Sequence, residues 1–254
     1  MSTELFSLKD KVGIVTGASR GIGRAIALGF ARAGADVAVA ARSEGDLKTL
    51  ADEIRETGRR ALELPTDVTD RAQIEEMIER TVDELGGLDI LVNNAGGTKF
   101  MSPIVGLRPE GWDKAIALNL TSVFHATQLA AQKMLGSGGG SIIQISSVAG
   151  ITGTPSLSYY SAAKGGVRLM SQSVAKELAE SGVRVNSISP GWVATELNAN
   201  LRVDEATEKF VTDMVPMKRW GEAEEIVGVA IFLASEASSF VTGATIVVDG
   251  GQTA

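Results

Sequence analysis

The chain has no Cys, a single His (His125) and only two Tyr, the adjacent Tyr159 and Tyr160. Without Cys there is no disulfide, thiolate nucleophile, iron–sulfur cluster or Cys-based zinc site. One His excludes a His-rich metal site and leaves one imidazole base. Chemistry therefore falls to Ser, Tyr, Lys, carboxylates or a cofactor. No apolar run approaches the ~18 residues of a membrane span, and the opening Met1-Ser2-Thr3-Glu4-Leu5-Phe6 lacks the basic-then-apolar layout of a signal peptide. Basic residues are in the minority, 24 Lys+Arg against 31 Asp+Glu, for a net charge of −7. An acidic surface argues against nucleic acid and anionic membranes as partners. A soluble, cytoplasmic protein with no bound metal is expected.

What is present is an ordinary globular composition, 44% hydrophobic over 254 residues, with 29 Gly against a usual share of about 7%. Short, nearly all-apolar runs read as strands at Val12–Thr16, Asp36–Ala41, Ala61–Leu64, Leu88–Val92, Ser141–Ile145, Val183–Ile188 and Thr245–Val248. Amphipathic helical patterns lie between them near 21–33, 44–57, 70–85, 109–135, 158–181 and 222–235. Alternation of this kind predicts an α/β fold, a Rossmann-type doubly wound parallel sheet of seven strands with helices on both faces. No composition break divides residues 1–254, so one domain is expected. Gly136-Ser137-Gly138-Gly139-Gly140 reads as a flexible turn. Residues 192–219 break the alternation with no clear strand, mixing Trp192, Leu197, Leu201, Phe210, Met214 and Met217 with charges. A long excursion inside a domain is usually functional, so a substrate lid is expected there, with a surface helical hairpin as the alternative.

Thr16-Gly17-Ala18-Ser19-Arg20-Gly21-Ile22-Gly23 follows the first strand and opens a helix. Glycines let the backbone approach a pyrophosphate, and a helix N-terminus offers free N–H groups. Gly17-Ala18-Ser19-Arg20-Gly21 also satisfies the nucleophile elbow of serine hydrolases. That reading needs His125 as base, and His125 falls inside a helical pattern where a packing role suits it better. The dinucleotide reading is favoured. NAD(H) sites usually carry an acid at the tip of the second strand. Here the tip is Ala41-Arg42. A guanidinium suits a 2′-phosphate, and Arg20 adds a second positive charge, so NADP(H) is favoured over NAD(H).

Tyr160-Ser161-Ala162-Ala163-Lys164 sets Tyr and Lys four apart, on one face of a helix. A free phenol has a pKa near ~10, and a neighbouring ammonium should lower it toward the working range. Tyr159 faces elsewhere and has Ala163 at the same offset. Ser146-Ser147-Val148-Ala149-Gly150 ends a strand, with Ser147 thirteen residues before Tyr160. Asn93-Asn94-Ala95-Gly96 follows the fourth strand, Asn119 lies in a helical pattern, and Pro190-Gly191 follows the sixth strand. Together with Val248-Asp249-Gly250-Gly251, these motifs make the chain similar, over nearly its whole length, to the short-chain dehydrogenase/reductases.

The resemblance implies an NADP(H)-dependent oxidoreductase acting on a small or medium-sized carbonyl or alcohol. It assigns catalysis to Ser147, Tyr160, Lys164 and Asn119. Ser147 would bind the substrate carbonyl and Tyr160 would exchange its proton. Lys164 would hold the nicotinamide ribose and lower the Tyr160 pKa, while Asn119 would hold a relay water. It assigns the cofactor to Gly17, Ser19, Arg20, Gly21, Ile22, Gly23, Arg42, Asp67, Val68, Asn94, Ala95, Gly96, Tyr160, Lys164, Pro190, Gly191, Val193 and Thr195. The expected substrate pocket comprises Ser147, Ile151, Pro155, Tyr159, Trp192, Leu197 and Met214. The resemblance further implies a homotetramer that pairs the helices near 109–135 and 158–181. 3-Oxoacyl-carrier-protein reductases are the nearest general likeness, yet Gly136–Gly140 and Glu180-Ser181-Gly182 lack the basic residues that would hold an acidic carrier. Leu5-Phe6-Ser7-Leu8 and Arg219-Trp220-Gly221 look like sugar and sugar-acid dehydrogenases. A free ketone or aldehyde therefore ranks first, an acyl carrier second and a sugar third. A dinucleotide sensor without turnover is the alternative from another class.

Overall fold

Backbone sterics and burial set the strands. β1 (Val12–Thr16) and β2 (Asp36–Ala41) are buried at every position, as strands covered on both faces must be. They continue as β3 (Ala61–Pro65), β4 (Ile90–Asn93), β5 (Gly140–Ile145) and β6 (Val183–Pro190). Two short strands, β7 (Val193–Ala194) and β8 (Gly221–Glu222), precede β9 (Thr245–Val248). This computed structural model describes residues 3–98 and 100–254, apart from the side chains of Thr3, Leu197, Asn200 and Leu201.

Seven strands form one parallel sheet in the order β3-β2-β1-β4-β5-β6-β9. Alternation along β1 sends Val12 and Ile14 to one face and Val15 to the other. On the Val15 face pack α1 (Gly21–Arg32), α2 (Glu44–Glu56) and α9 (Glu224–Ala234), through Phe30, Leu50 and Leu233. On the other face pack α3 (Arg71–Leu85), α5 (Ser122–Ser137) and α6 (Ser158–Leu178), through Met77, Met134 and Ala175. The expected α/β architecture is thus present. Strand order reverses between β1 and β4, which opens a crevice outside their carboxyl ends.

Three details differ from expectation. The helix expected over 109–135 is interrupted: α4 (Pro109–Ile116) passes through a π-helical turn, Ala117–Thr121, before α5. Such turns have no distinct sequence period and recur at functional sites. Region 192–219, expected to lack strands, contributes β7, which pairs with β8 and is followed by α7 (Ala199–Arg202) and α8 (Glu205–Met214). A two-residue ladder is too short to show alternation. The glycine run after α5 is fixed by close packing. Gly138 and Gly139 have φ of 92° and 124°, and a Cβ on Gly139 would stand 2.6 Å from the Gly182 carbonyl oxygen. Among the described residues, no helix is long and apolar enough to cross a membrane.

Candidate active site

At the carboxyl ends of β1 and β4, the glycine turn is locked from both sides. Gly17 has φ of 64°, and a Cβ there would lie 2.8 Å from Ala95 Cα. The Asn94 side chain donates to the carbonyls of Thr16 and Gly17 at 2.9 and 3.1 Å. Thr16 Oγ1 accepts from the N–H groups of Asn94 and Ala95. A Cβ on Gly23 would fall 2.3 Å from Asn94 Nδ2, so Gly17, Gly23 and Asn94 form one packed unit. Thr195, after β7, reaches the turn, with its Cγ2 3.2 Å from where a Gly21 Cβ would stand. Gly191 passes against Asp249, where a Cβ would approach to 2.7 Å. Asp67 lies beyond β3 in a local turn, accepting from Thr69 N–H and hydroxyl at 2.9 and 2.7 Å, and Val68 beside it is buried.

These residues fit a phosphate-rich dinucleotide. Arg20 is the N-cap of α1, makes no capping bond through its side chain, and no acid occupies the first turn. The free N–H groups and positive dipole end are left for an anion. Arg20 and Arg42 are exposed, and neither has an ion-pair partner among the described residues. Arg24, by contrast, is committed to Glu53, with Oε2 at 2.6 Å.

The four expected catalytic residues converge. Ser147 Oγ accepts from Ala149 N–H at 3.1 Å and is hydrogen-bonded to the Tyr160 hydroxyl. Lys164, one turn along α6, is 3% exposed; its Nζ donates to the Ile145 carbonyl at 2.7 Å. That Nζ sits 5.7 Å from the centre of the Tyr160 ring. Asn119, fully buried in the π-turn, accepts from Gly97 N–H at 2.8 Å and donates to the carbonyls of Gly97 and Ala115. Gly96 closes the group, since a Cβ there would lie 2.8 Å from Asn119 Oδ1 and 3.4 Å from Lys164 Nζ.

The electrostatics depart from expectation at one point. Burial pushes the Tyr160 phenol up to about 12; the Ser147 bond works against the rise and Tyr159 adds to it. Burial also lowers Lys164 to about 8. The expected lowering of Tyr160 by Lys164 is absent from this arrangement, because the ammonium is turned to the Ile145 carbonyl and is itself desolvated.

The expected pocket residues differ in burial and packing. Tyr159 is buried; its ring stacks on Phe100 at 4.5 Å, and its hydroxyl donates to the Phe100 carbonyl. Ile151, Pro155 and Met214 are exposed. Trp192 packs edge-on against Trp220, centroids 5.3 Å apart, and lines a cavity of about 520 Å³ with Val215, Met217 and Val248. The side chain of Leu197 lies outside the described residues, as does that of Leu201. Ser146, which falls out of the thirteen-residue register, ties β5 to α6 by donating to the Lys164 carbonyl at 2.9 Å. Phe100 and Gly150 were not singled out by sequence. The available signals were a lone aromatic beyond Gly96-Gly97 and a glycine ending the serine motif. A Cβ on Gly150 would lie 2.6 Å from the Lys164 carbonyl carbon. His125 sits in α5 beside Phe124, with ring centroids 5.4 Å apart.

The family described as Enoyl-(Acyl carrier protein) reductase matches residues 17–253. A 3-oxoacyl-acyl-carrier-protein reductase of Thermotoga maritima is 40% identical over 96% of this chain and 98% of its own. A gluconate 5-dehydrogenase of Gluconobacter oxydans is 36% identical over 98% of this chain and 97% of its own. The crystal structure of a gluconate 5-dehydrogenase from Burkholderia cenocepacia, in complex with NADP and tartrate, superposes with a TM-score of 0.94 at 38% identity, covering 98% of each chain.

Proposed function

The chain belongs to the short-chain dehydrogenase/reductase family, and from that premise we propose an NADP(H)-dependent oxidoreductase that interconverts a small or medium-sized ketone and its alcohol. The observation that carries the reading is the convergence of Ser147, Tyr160, Lys164 and Asn119 beside a glycine turn with two unpaired arginines. The cofactor, when bound, supplies or accepts the hydride. Its phosphates fit the α1 N-terminus and the Gly17–Gly23 turn, and its 2′-phosphate fits Arg20 and Arg42. Ser147 Oγ orients the substrate carbonyl. Tyr160 Oη, protonated in this environment, gives its proton to the carbonyl oxygen in reduction and takes one from the alcohol in reverse. Lys164 would hold the nicotinamide ribose, and its ammonium, once turned from the Ile145 carbonyl toward Tyr160, would stabilise the phenolate that proton transfer leaves there. Asn119 holds a water through which Lys164 and Tyr160 regain protons.

Residues 192–219 act as a lid over the substrate within a single domain. The Trp220 indole N–H supports this by anchoring α8 through Glu208 at 2.6 Å. A homotetramer pairing α4–α5 and α6 is supported by exposed Phe124, Leu135 and Leu169 on those helices; sedimentation at micromolar concentration tests it. A cytoplasmic location goes with the reading and is tested by cell fractionation. The second reading, reduction of a 3-oxoacyl thioester, is favoured by the Thermotoga relative, and sugar-acid oxidation by the Gluconobacter one. A panel of ketones, β-ketoesters, 3-oxoacyl thioesters and sugar acids, followed by NADPH absorbance, separates them. Fastest turnover with free ketones is expected, and no turnover of any carbonyl would overturn the oxidoreductase reading.

A further inference from the structure

Residues 100–106 are tied to the start of α6, and the chain just before them to Lys164 and Asn119. Upstream, Gly96 and Gly97 pack on Lys164 and Asn119. Downstream, Ser102 N–H donates to the Ser156 carbonyl at 2.9 Å, two residues before α6 begins. Between these points stands Phe100. Its ring lies between the Tyr159 ring, stacked at 4.5 Å and 25°, and the backbone of α4, where a Cβ on Gly111 would come within 3.2 Å of Phe100 Cζ. Its carbonyl accepts the Tyr159 hydroxyl. Tyr159 is 1% exposed, and that bond gives its buried O–H a partner.

The segment so held turns its other side outward. Met101, Ile104 and Val105 are 69%, 67% and 97% exposed, and residues 100–107 carry no charge. An apolar strip this exposed is usual for a surface that meets another apolar group. Its anchors, Phe100 on Tyr159 and Ser102 on Ser156, tie it to the start of α6, the turn that carries Tyr160.

We infer that Tyr159 is a positioning residue: by holding Phe100 it fixes the apolar strip Met101–Val105 to the turn that carries Tyr160, and this strip selects carbonyl compounds with an apolar substituent. The substrate class rests on the oxidoreductase reading; the clamp does not. Tyr159→Phe keeps the ring and removes only the hydroxyl bond.

Two measurements on the full-length chain test this. Amide hydrogen exchange of peptides spanning 100–106 should speed by about fivefold in Tyr159→Phe, the scale of one lost hydrogen bond, and further in Tyr159→Leu. Peptides of α1 and β5 should be unchanged. In steady-state reduction with NADPH, Tyr159→Phe should raise KM for cyclohexanone about fivefold, with little change for acetone, in kcat or in NADPH affinity. Unchanged exchange over 100–106 would overturn the clamp. Equal losses for both ketones, or lost NADPH binding, would overturn the positioning role in favour of a general structural one. A wild type inactive on all carbonyls would sink the oxidoreductase reading and the substrate class with it, while exchange still decides the clamp.

Discussion

The two edges of the sheet use their charges differently. At the amino edge, Asp36 is 5% exposed and paired with Arg59 at 2.7 Å and Arg60 at 2.6 Å, while Arg60 also donates to the Leu85 carbonyl. Burial alone would raise the Asp36 carboxyl, but bonds from the Arg60 backbone and side chain, with the charges of both arginines, hold it below the usual range. Asp89 accepts from Val12 N–H at 2.8 Å. A cavity of about 440 Å³ opens there, yet Asp36, Arg59 and Arg60 are already committed to one another, and Asp89 to Lys11 and β1. At the carboxyl edge, Arg20 and Arg42 have no such commitments and α1 begins uncapped. The proposed cofactor site is thus the edge with unspent charge and free N–H groups rather than the one with the committed charges.

Breaking each edge should have different consequences. The largest effect is expected from Tyr160→Phe, which should lower kcat by about 100- to 10,000-fold, the range of general acid–base catalysis, with NADPH affinity and melting temperature retained. Unchanged turnover would remove Tyr160 from catalysis. Asp36→Asn at the opposite edge should do the reverse. It should cost about 2 kcal/mol, the scale of lost charge-assisted bonds, and lower the melting temperature by roughly 5 °C, leaving kcat and NADPH affinity alone. A kinetic defect without a stability loss would erase the distinction between the edges.

A smaller, graded effect concerns pH. Lys164 titrates at about 8 when folded against 10.5 as a free side chain. Between these values the unfolded chain binds more protons, so stability rises with pH. Relative to Lys164→Met, the wild type should gain roughly 1.4 kcal/mol per pH unit from about 8 upward, read from urea unfolding. Tyr160, raised to about 12, makes its opposite contribution only above pH ~10, where free phenols ionise. Parallel pH curves for the two proteins would mean that the ammonium is not desolvated.

Much of this was legible in the sequence because the signals were periodic or local. Val12–Thr16 and Asp36–Ala41 have the expected bounds, since buried parallel strands are continuous apolar runs, and the half-exposed edge strand Thr245–Val248 has them too. Strand β4 begins at Ile90, two residues later than the apolar run, because Asp89 is used to hold β1. Tyr160 and Lys164 were legible from their helical spacing, whereas Ser147 and Asn119 were reached through the family resemblance. The π-turn around Asn119 was not legible, since five such residues look helical either way. Nor was the direction of the Tyr160 shift. It depends on burial and on where Lys164 points, which are tertiary facts. The substrate side was least legible: Tyr159 and Trp192 are both apolar in the sequence, yet one clamps Phe100 and the other packs on Trp220.

The central claim is that unpaired charge at the carboxyl edge recognises the cofactor. The most direct test is to titrate wild type and Arg42→Asp with NADPH and with NADH by fluorescence. Tighter binding of NADPH is predicted in the wild type, with the NADPH-to-NADH ratio falling by about 10- to 100-fold in Arg42→Asp, as loss of a charge-assisted phosphate contact requires. Equal wild-type affinities, or a ratio that the substitution leaves unmoved, would contradict it.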